Sequence, residues 1–383
     1  MRVLLALHRI GPYHHARLAA AAKHLHLHGL ETRPQSAEYP WQFQPQAAYA
    51  IHQLRGQLHL EVDPPLPSLR SQLQALLDEV HPEVIVSVGW ADRAYQQLLV
   101  LAHQRQIPLV IVSDSRQLDE PRSAAKEWLK HQLLRGYSAA LVAGQESHSY
   151  LASLGFPVQA IHQPWDVVDN AFFQQSVSQV GPRQPCFLCV SRLVAKKNHQ
   201  GLLEAYAAYQ QQGGCWGLRL VGSGPLEAVL RIQIAALPNP QSVQLLPFCQ
   251  LQELGLLYPQ ASAFVLASST DQWGLVVNEA MAAGLPCLVS SACGCAVDLI
   301  EHNRTGWCFD PSSTQALTEL MHTAERQPAD QRAAMVVAAK QRLEAFTPQA
   351  FAQGLLGALD QARRHPRFPR RAALTADLLS RLT

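Results

Sequence analysis

The sequence predicts an α/β protein of two domains, each with a mostly parallel sheet covered by helices on both faces. Three observations support this prediction. Short apolar runs alternate with longer amphipathic segments along the chain, which is the pattern of strands and crossover helices. The length of 383 residues fits two or three domains. The alternation stops over residues 164–185, which are rich in Pro, Gln and Ser, and then begins again.

Composition narrows the class of protein. Hydrophobic residues make up 48% and charged residues 16% of the chain, a globular profile that excludes disordered and fibrous proteins. The net charge of +2 excludes a dedicated nucleic-acid binder. No apolar run matches a signal peptide or the roughly 18 residues of a membrane span. We therefore expect a cytoplasmic protein whose eight cysteines are reduced and mostly buried.

The first domain is predicted over residues 1–170. Strands are expected at residues 3–7, 84–88, 107–112 and 139–142, and helices at 17–28, 91–106, 126–135 and 147–154. The helix over 17–28 would end at Gly29 and carry His24, His26 and His28 on its polar surface. The pattern is weak over 34–67, where Gln and Pro are frequent.

The second domain is predicted over residues 186–359, after a linker at 171–185. Strands are expected at residues 186–190, 218–221, 243–246, 263–266 and 286–289, and helices at 200–211, 226–236, 251–258, 276–283, 314–325 and 332–344. In such sheets ligands bind at the carboxyl ends of the strands. The loops that follow these strands are therefore the places to search for a site.

The most informative loop follows the predicted strand 263–266 and reads STDQWGLVVNEAMAAG from Ser269. Asp271 lies in its polar part, Gly274 permits a tight turn, and Glu279 lies in the early turns of the next helix. Two carboxylates placed in this way can accept hydrogen bonds from sugar hydroxyls. Acidic residues also favour helix N-termini for electrostatic reasons. The spacing alone leaves both interpretations open.

A second loop carries cations directly after the predicted strand 186–190. Arg192, Lys196 and Lys197 stand between this strand and the next helix. Cations in this position suit a diphosphate, which Arg holds with two hydrogen bonds and Lys attracts as a point charge. A solvated basic loop is the alternative interpretation.

A third loop is a glycine-rich turn between strand and helix. Gly222 and Gly224 precede Pro225, a residue that fits the first position of a helix. A tight turn explains these glycines without any ligand.

In this order the three loops resemble the donor half of the GT-B glycosyltransferases, and glycosyltransferase family 4 in particular. The matching segments are SRL at 191–193 with Lys197, GSGPL at 222–226, Asp271 with Glu279, and AMAAGLP at 280–286. The stretch from Cys293 and Gly294 to Gly306 is similar to the family's glycine-containing loop. The resemblance is strong over 186–311 and looser before it.

The resemblance implies the GT-B fold, in which two Rossmann-like domains face each other across a cleft. Residues 1–170 would form the acceptor-side domain and 186–359 the nucleotide-sugar donor domain. A C-terminal helix at 360–383 would pack back on the first domain.

The resemblance also implies roles for individual residues. Arg192, Lys197 and Gly11 would contact the donor diphosphate, and Glu279 the ribose hydroxyls. Asp271 would face the transferred sugar, at a position where the family usually has Glu. The donor loops would be shaped by Gly222, Gly224, Gly274 and Gly294.

A second departure from the family concerns Asp114, which follows the predicted strand 107–112. The family often has a histidine there, near the transferred sugar. Asp114 would orient a sugar hydroxyl or the acceptor nucleophile, or it would simply cap the next segment. Asp271 and Asp114 are therefore the expected catalytic residues.

The implied activity is a retaining, metal-independent sugar transfer from a nucleotide sugar, with a UDP-sugar favoured over a GDP-sugar and no cofactor. The acceptor would be a carbohydrate or a lipid-linked carbohydrate, in polysaccharide, glycolipid or glycoconjugate biosynthesis. The alternatives are a non-catalytic sugar-nucleotide-binding partner of a glycan-assembly complex, or another GT-B enzyme such as a sugar-nucleotide epimerase. The first loop lacks the G-x-G-x-x-G of nicotinamide-dependent oxidoreductases.

The C-terminal region is basic, with five arginines between Arg363 and Arg371. This tail is either a solvated surface or a means of attraction to anionic lipid at the inner face of a membrane.

Overall fold

The computed structural model describes residues 1–34, 41–43, 48–55 and 65–382. They form two compact units. The first comprises Met1–Val167 together with the chain from Pro348 onwards, and the second comprises Val168–Thr347. The predicted weak stretch at 34–67 lies partly outside the described residues.

The first unit is built on a parallel sheet with the strand order β3-β2-β1-β4-β5-β6-β7. The strands are β1 (Arg2–Leu7), β2 (His26–Glu31), β3 (Ala50–Gln53), β4 (Val84–Val88), β5 (Leu109–Ser113), β6 (Ala139–Val142) and β7 (Ile161–His162). The helices between them are α1 (Pro12–Ala22), α2 (Leu66–Val80), α3 (Arg93–Arg105), α4 (Ala124–Leu134) and α5 (Gln145–Ser153). The strand order changes direction between β1 and β4, so the loops after these strands diverge.

The second unit repeats this architecture with the strand order β10-β9-β8-β11-β12-β13. Its strands are β8 (Cys186–Val190), β9 (Gly217–Val221), β10 (Val243–Leu246), β11 (Ala263–Leu266), β12 (Cys287–Ser290) and β13 (Trp307–Phe309). Its helices are α6 (Asn170–Ser176), α7 (His199–Gln211), α8 (Glu227–Ala235), α9 (Leu251–Leu257), α10 (Leu275–Ala282), α11 (Ala296–Leu299), α12 (Thr314–Arg326) and α13 (Ala329–Leu343). Here the order changes direction between β8 and β11.

Two C-terminal helices belong to the first unit, α14 (Pro348–Arg364) and α15 (Arg370–Leu382). Helix α14 packs against α1 and the strands β5, β6 and β7, and α15 packs against α3 and α4. The C-terminal part of the first unit thus begins at Pro348. This is twelve residues before the start of the predicted helix at 360–383. None of the described helices combines the length and apolar character that crossing a membrane requires.

The predicted linker at 171–185 is wrong in its first part, because α6 belongs to the second unit. Phe173 of α6 is buried, and its ring lies 5.7 Å from that of Tyr258. The Asn170 side chain donates a hydrogen bond to the Phe346 carbonyl at 3.1 Å. The Gln and Ser content of this segment gives no sign that it packs against the second unit. Because it does pack there, the boundary between the two units lies after Val167.

The predicted helix at 17–28 is also wrong, since α1 ends at Ala22 and a strand begins at His26. Leu25 and Leu27 are buried between the histidines. This alternation has the two-residue period of a strand, not that of a helix. Gly29 lies within β2, where a Cβ would come within 2.9 Å of the Ile10 side chain.

Candidate active site

Four loops of the second unit meet beyond the carboxyl ends of β8, β9, β11 and β12, where the backbone itself joins them. Ser191 N donates to Val221 O at 3.0 Å, and Ser269 N donates to Lys196 O at 2.9 Å. Gly294 N donates to Asp271 O at 2.9 Å. The segments singled out in the sequence therefore form one continuous edge of this sheet.

The glycine-rich turn after β9 fits closely against the loop after β8. Gly222 and Gly224 have φ angles of +151° and +156°, which residues with a side chain rarely adopt. A Cβ on Gly222 would lie 1.9 Å from Ser191 O, and one on Gly224 would lie 2.5 Å from Leu193 O. Both glycines are needed to bring this turn against the cationic loop.

The cationic loop presents its side chains just before α7. Lys196 Nζ donates to the Gln272 side chain at 3.1 Å, and Lys197 forms an ion pair with Asp271. Asn198 has a left-handed backbone with φ of +51°, and its side chain caps α7 by accepting from a backbone N–H. Arg192 is half-buried in the same loop. These cations lie where a helix N-terminus also favours an anion.

The Asp271 carboxylate is about nine-tenths buried beside Lys197. The Ser268 hydroxyl lies 3.5 Å from its Oδ2 atom, and the backbone N–H of Asp271 donates to Ala292 O at 3.2 Å. The structure thus brings together the residue predicted to face the sugar and a residue predicted to hold the diphosphate.

Glu279 lies on α10 and its side chain is fully buried. The Tyr258 hydroxyl donates to Glu279 Oε2 at 2.6 Å. Gly274 is the N-cap residue of helix α10, and its φ of +101° explains the need for glycine at this position. The sequence gives no reason to select Tyr258 as a site residue, because it is only the last residue of the predicted helix at 251–258.

His199 is a second residue that the sequence gave no reason to select, because the predicted helix began one residue later. It is 2% exposed, and its Nε2 atom lies 2.9 Å from the Ser191 hydroxyl. Burial, aided by the positive charge of Lys197, lowers the pKa of His199 to about 4. The neutral ring of His199, just after the cationic loop, therefore contacts Ser191 at the start of that loop.

Cys293 and Cys295 lie under the Asp271 loop and are fully buried. Cys295 N donates to Trp273 O at 3.1 Å, and the Trp273 indole donates to Asn278 Oδ1 at 2.9 Å. Burial raises the pKa of the Cys295 thiol well above its usual value. Within the described residues, no three His, Cys, Asp or Glu side chains are grouped as a metal site would need.

The two remaining predicted site residues, Gly11 and Asp114, belong to the first unit. Gly11 follows β1 at the start of α1, and its N–H donates to His14 Nδ1 at 3.3 Å. Burial, together with Arg17, lowers the pKa of His14 to about 3. Asp114 is exposed after β5, and the next helix has Ser123 at its N-cap, so Asp114 does not cap that helix.

A polar cluster of the first unit was not predicted. The buried Asp92 carboxylate caps α3, and its Oδ2 atom lies 3.1 Å from His8 Nε2 and 3.0 Å from an Arg33 guanidinium nitrogen. Burial alone would raise the pKa of Asp92, but the His8 hydrogen bond and the Arg33 charge outweigh burial and lower it. These partners are far apart in sequence, so no local spacing indicates them.

Comparison with solved structures defines the class of fold. The chain superimposes on Anabaena Alr3699/HepE, solved in complex with UDP, with a TM-score of 0.75 at 18% identity, covering 94% of this chain and 100% of that one. The lipopolysaccharide outer core galactosyltransferase WaaB gives a TM-score of 0.67 at 14% identity, covering 94% and 99%. The chain has the GT-B fold of these glycosyltransferases.

The sequence of the second unit is similar to known glycosyltransferases. Residues 172–342 match the family model described as glycosyl transferases group 1. The chain is 32% identical over 200 residues to the amylovoran biosynthesis glycosyltransferase AmsK of Erwinia amylovora, covering 51% of this chain and 49% of AmsK. It is 29% identical over 163 residues to the putative colanic acid biosynthesis glycosyltransferase WcaL of Escherichia coli K12, covering 41% and 40%. The chain thus spans half or less of the length of these relatives.

Proposed function

We propose that the protein is a retaining, metal-independent glycosyltransferase of family 4 that takes its sugar from a UDP-sugar, without a cofactor, and acts in polysaccharide biosynthesis. The cationic loop tied to Asp271 is the observation that carries this proposal. The names of AmsK and WcaL, which refer to amylovoran and colanic acid, support a polysaccharide product. HepE has been solved with UDP and with UDP-glucose, which supports the choice of donor.

The proposed chemistry begins with an exchange of partners at Lys197. A donor diphosphate carries more negative charge than one carboxylate, so it would compete with Asp271 for the ammonium group. Arg192 and Lys197 would then stabilise the charge that grows on the leaving diphosphate as the sugar–phosphate bond breaks. Asp271, released from its ion pair, would accept a hydrogen bond from a hydroxyl of the sugar.

Glu279 is proposed to bind the ribose hydroxyls. Tyr258 holds one carboxylate oxygen at 2.6 Å and fixes the orientation of the group. Because the side chain is fully buried, this role requires neighbouring groups to move and admit the ribose. Glu279→Gln should then weaken UDP binding, and Tyr258→Phe should weaken it less, since the carboxylate itself is retained.

The acceptor side of the proposal rests on the first unit. Gly11 is proposed to approach the diphosphate, and Asp114 to orient the acceptor or the sugar. The acceptor is proposed to be a carbohydrate or a lipid-linked carbohydrate, with the basic tail holding the chain at the inner face of a membrane.

A thermal-shift series tests the donor. UDP-glucose, GDP-mannose and ADP-glucose are added to the full chain, to Lys197→Ala and to Asp114→Ala. A ligand at 100 times its Kd stabilises the native state by about 2.7 kcal/mol, so UDP-glucose should raise the Tm of the full chain and of Asp114→Ala, but not of Lys197→Ala. No shift with any of the three nucleotide sugars would contradict the proposal.

Turnover separates the proposed enzyme from its alternatives. Transfer to an acceptor that is lost in Asp114→Ala, with donor binding intact, supports a catalytic Asp114. Donor binding without turnover on any acceptor indicates a non-catalytic partner, and conversion of the donor to an epimer without an acceptor indicates an epimerase.

A further inference from the structure

The C-terminal helix α15 has an outward face that its packing does not explain. Its inner face, with Ala372, Ala376 and Ser380, is buried where the helix lies on α3 and α4. On the outer face, Leu374, Leu378 and Leu382 are 69%, 59% and 74% exposed. Small residues face the protein and large apolar residues face away from it.

The spacing makes these leucines a continuous row. Residues four apart lie above one another on a helix, so Leu374, Leu378 and Leu382 form one stripe along the axis. Single exposed leucines are ordinary, whereas a contiguous apolar patch marks an interaction surface.

Arginines share the outward side of α15. At about 100° per residue, Arg371 projects roughly 20° from the stripe centre, and Arg370 and Arg381 project roughly 60–80° from it; all three are exposed. The single acid of the helix, Asp377, is paired with Arg70 and Arg381. The outer face therefore combines apolar side chains with an excess of positive charge.

We propose that this face of α15 lies in the surface of an anionic lipid bilayer, with the leucines inserted among the acyl chains and the arginines at the headgroups. This inference deepens the peripheral membrane association proposed above and rests on it, but it depends on a leucine row rather than on the basic tail alone. A helix with apolar side chains flanked by cations is the form that binds in the plane of a bilayer.

Charge favours lipid over a second copy of the chain. A symmetric antiparallel contact through the stripe would bring Arg370 and Arg371 of one copy near Arg381 of the other, and like charges at short distance repel. Residues 363–382 hold six arginines and one aspartate, which matches the negative cytoplasmic leaflet.

A matched control exists on helix α8 of the second unit. Val229 and Ile232 are 49% and 73% exposed, and the charges beside them cancel because Arg231 pairs with Glu227. This surface is apolar without a positive excess, so Val229→Ser/Ile232→Ser removes exposed apolar groups without touching the proposed anchor.

The test is flotation of the full chain with vesicles of phosphatidylcholine alone or with 3:7 phosphatidylglycerol to phosphatidylcholine. We expect binding to the anionic vesicles only, weakening as salt is raised. Arg370→Gln/Arg371→Gln should bind roughly 25-fold more weakly, at about fivefold per arginine. Leu374→Ser/Leu378→Ser/Leu382→Ser should lose at least roughly 30-fold, and Val229→Ser/Ile232→Ser should bind like the unchanged chain.

Several results would overturn the proposal. These are no binding of the unchanged chain to anionic vesicles, equal binding by the leucine variant, or an equal loss in the α8 control. A dimer that the leucine variant converts to a monomer, with no vesicle binding, would assign the stripe to self-association instead. The UDP-glucose thermal shift without lipid confirms that each variant is folded, and it keeps failure of the anchor separate from failure of the donor site.

Discussion

The two units bring polar side chains to the carboxyl edges of similar parallel sheets, but the charged side chains at these edges have different partners. Loops are joined backbone to backbone in both units, as where Leu193 N donates to Ser223 O at 2.9 Å in the second unit and Arg33 N donates to His8 O at 2.7 Å in the first. In the first unit, the buried Asp92 carboxylate adds a link between the side chains of His8 and Arg33.

This difference decides what each edge has left to offer a ligand. In the second unit Lys197 pairs with the Asp271 carboxylate, whereas Lys196 donates to the neutral side chain of Gln272. In the first unit the Asp92 carboxylate offsets Arg33, and a second carboxylate, Asp166, offsets the buried Arg17. The second unit therefore has the edge suited to a diphosphate, and the first has a more neutral one.

The largest expected effect distinguishes two adjacent lysines of the second unit. Lys197→Ala removes a proposed diphosphate contact and the partner of Asp271, so kcat/KM should fall by roughly 10²- to 10³-fold, as for loss of one electrostatic donor. Lys196→Ala removes only a hydrogen bond to the neutral Gln272 and should cost less than about tenfold. Steady-state transfer rates give both values, and equal losses would show that the ion pair does not mark the site.

The next prediction compares the unfolding free energies of glycine variants in the two units. Gly224→Ala would place a Cβ 2.5 Å from a backbone carbonyl, so it should cost about 3 kcal/mol in unfolding free energy. Gly213→Ala, with φ of +87° and open space around it, should cost only about 1 kcal/mol. Gly11→Ala, in the first unit, meets its nearest atom at 3.6 Å with an ordinary φ and should cost less than about 0.5 kcal/mol.

Urea denaturation measures all three glycine variants. If Gly224→Ala and Gly213→Ala lost equal stability, the close approach of the two second-unit loops would carry no free energy beyond the strain of a positive φ.

The last expected effect is spread over a pH interval and comes from His199 of the second unit. Its pKa is about 4 in the folded chain and about 6.5 when unfolded, so between these values the unfolded state binds more protons. Stability should therefore fall as the pH is lowered from 6.5 to 4, by up to about 3 kcal/mol, and this contribution should change no further below pH 4.

His199→Gln keeps a polar side chain near Ser191 without a titrating group. Its unfolding free energy, measured in urea at pH 7 and pH 4.5, should fall less than that of the unchanged chain. Identical pH dependences in the two proteins would contradict the assignment of a buried neutral histidine. His14 of the first unit, with its pKa lowered to about 3, is present in both proteins and cancels in the comparison.

The difference between local patterns and contacts of residues far apart in sequence explains what the sequence could predict. Strands such as β8 and β11 have their predicted bounds because each is a continuous apolar run that is buried on both faces. The loops of the second unit were also recognisable, since backbone-held turns need glycines at fixed local positions. The Lys197–Asp271 ion pair joins residues 74 positions apart, and His8–Asp92 joins residues 84 apart, so neither follows from local spacing.

The return of the chain at Pro348 has a consequence for the order of folding during synthesis. The second unit is continuous from Val168 to Thr347, so all of its residues have been translated before α14 exists. The first unit still lacks the helix that covers β5, β6 and β7, where Gly354 lies so close to the backbone of Gln163 that a Cβ would come within 2.5 Å of its carbonyl oxygen. The half that leaves the ribosome first is therefore the half that is completed last, and a stop codon after Thr347 would damage the amino-terminal unit rather than the carboxyl-terminal one.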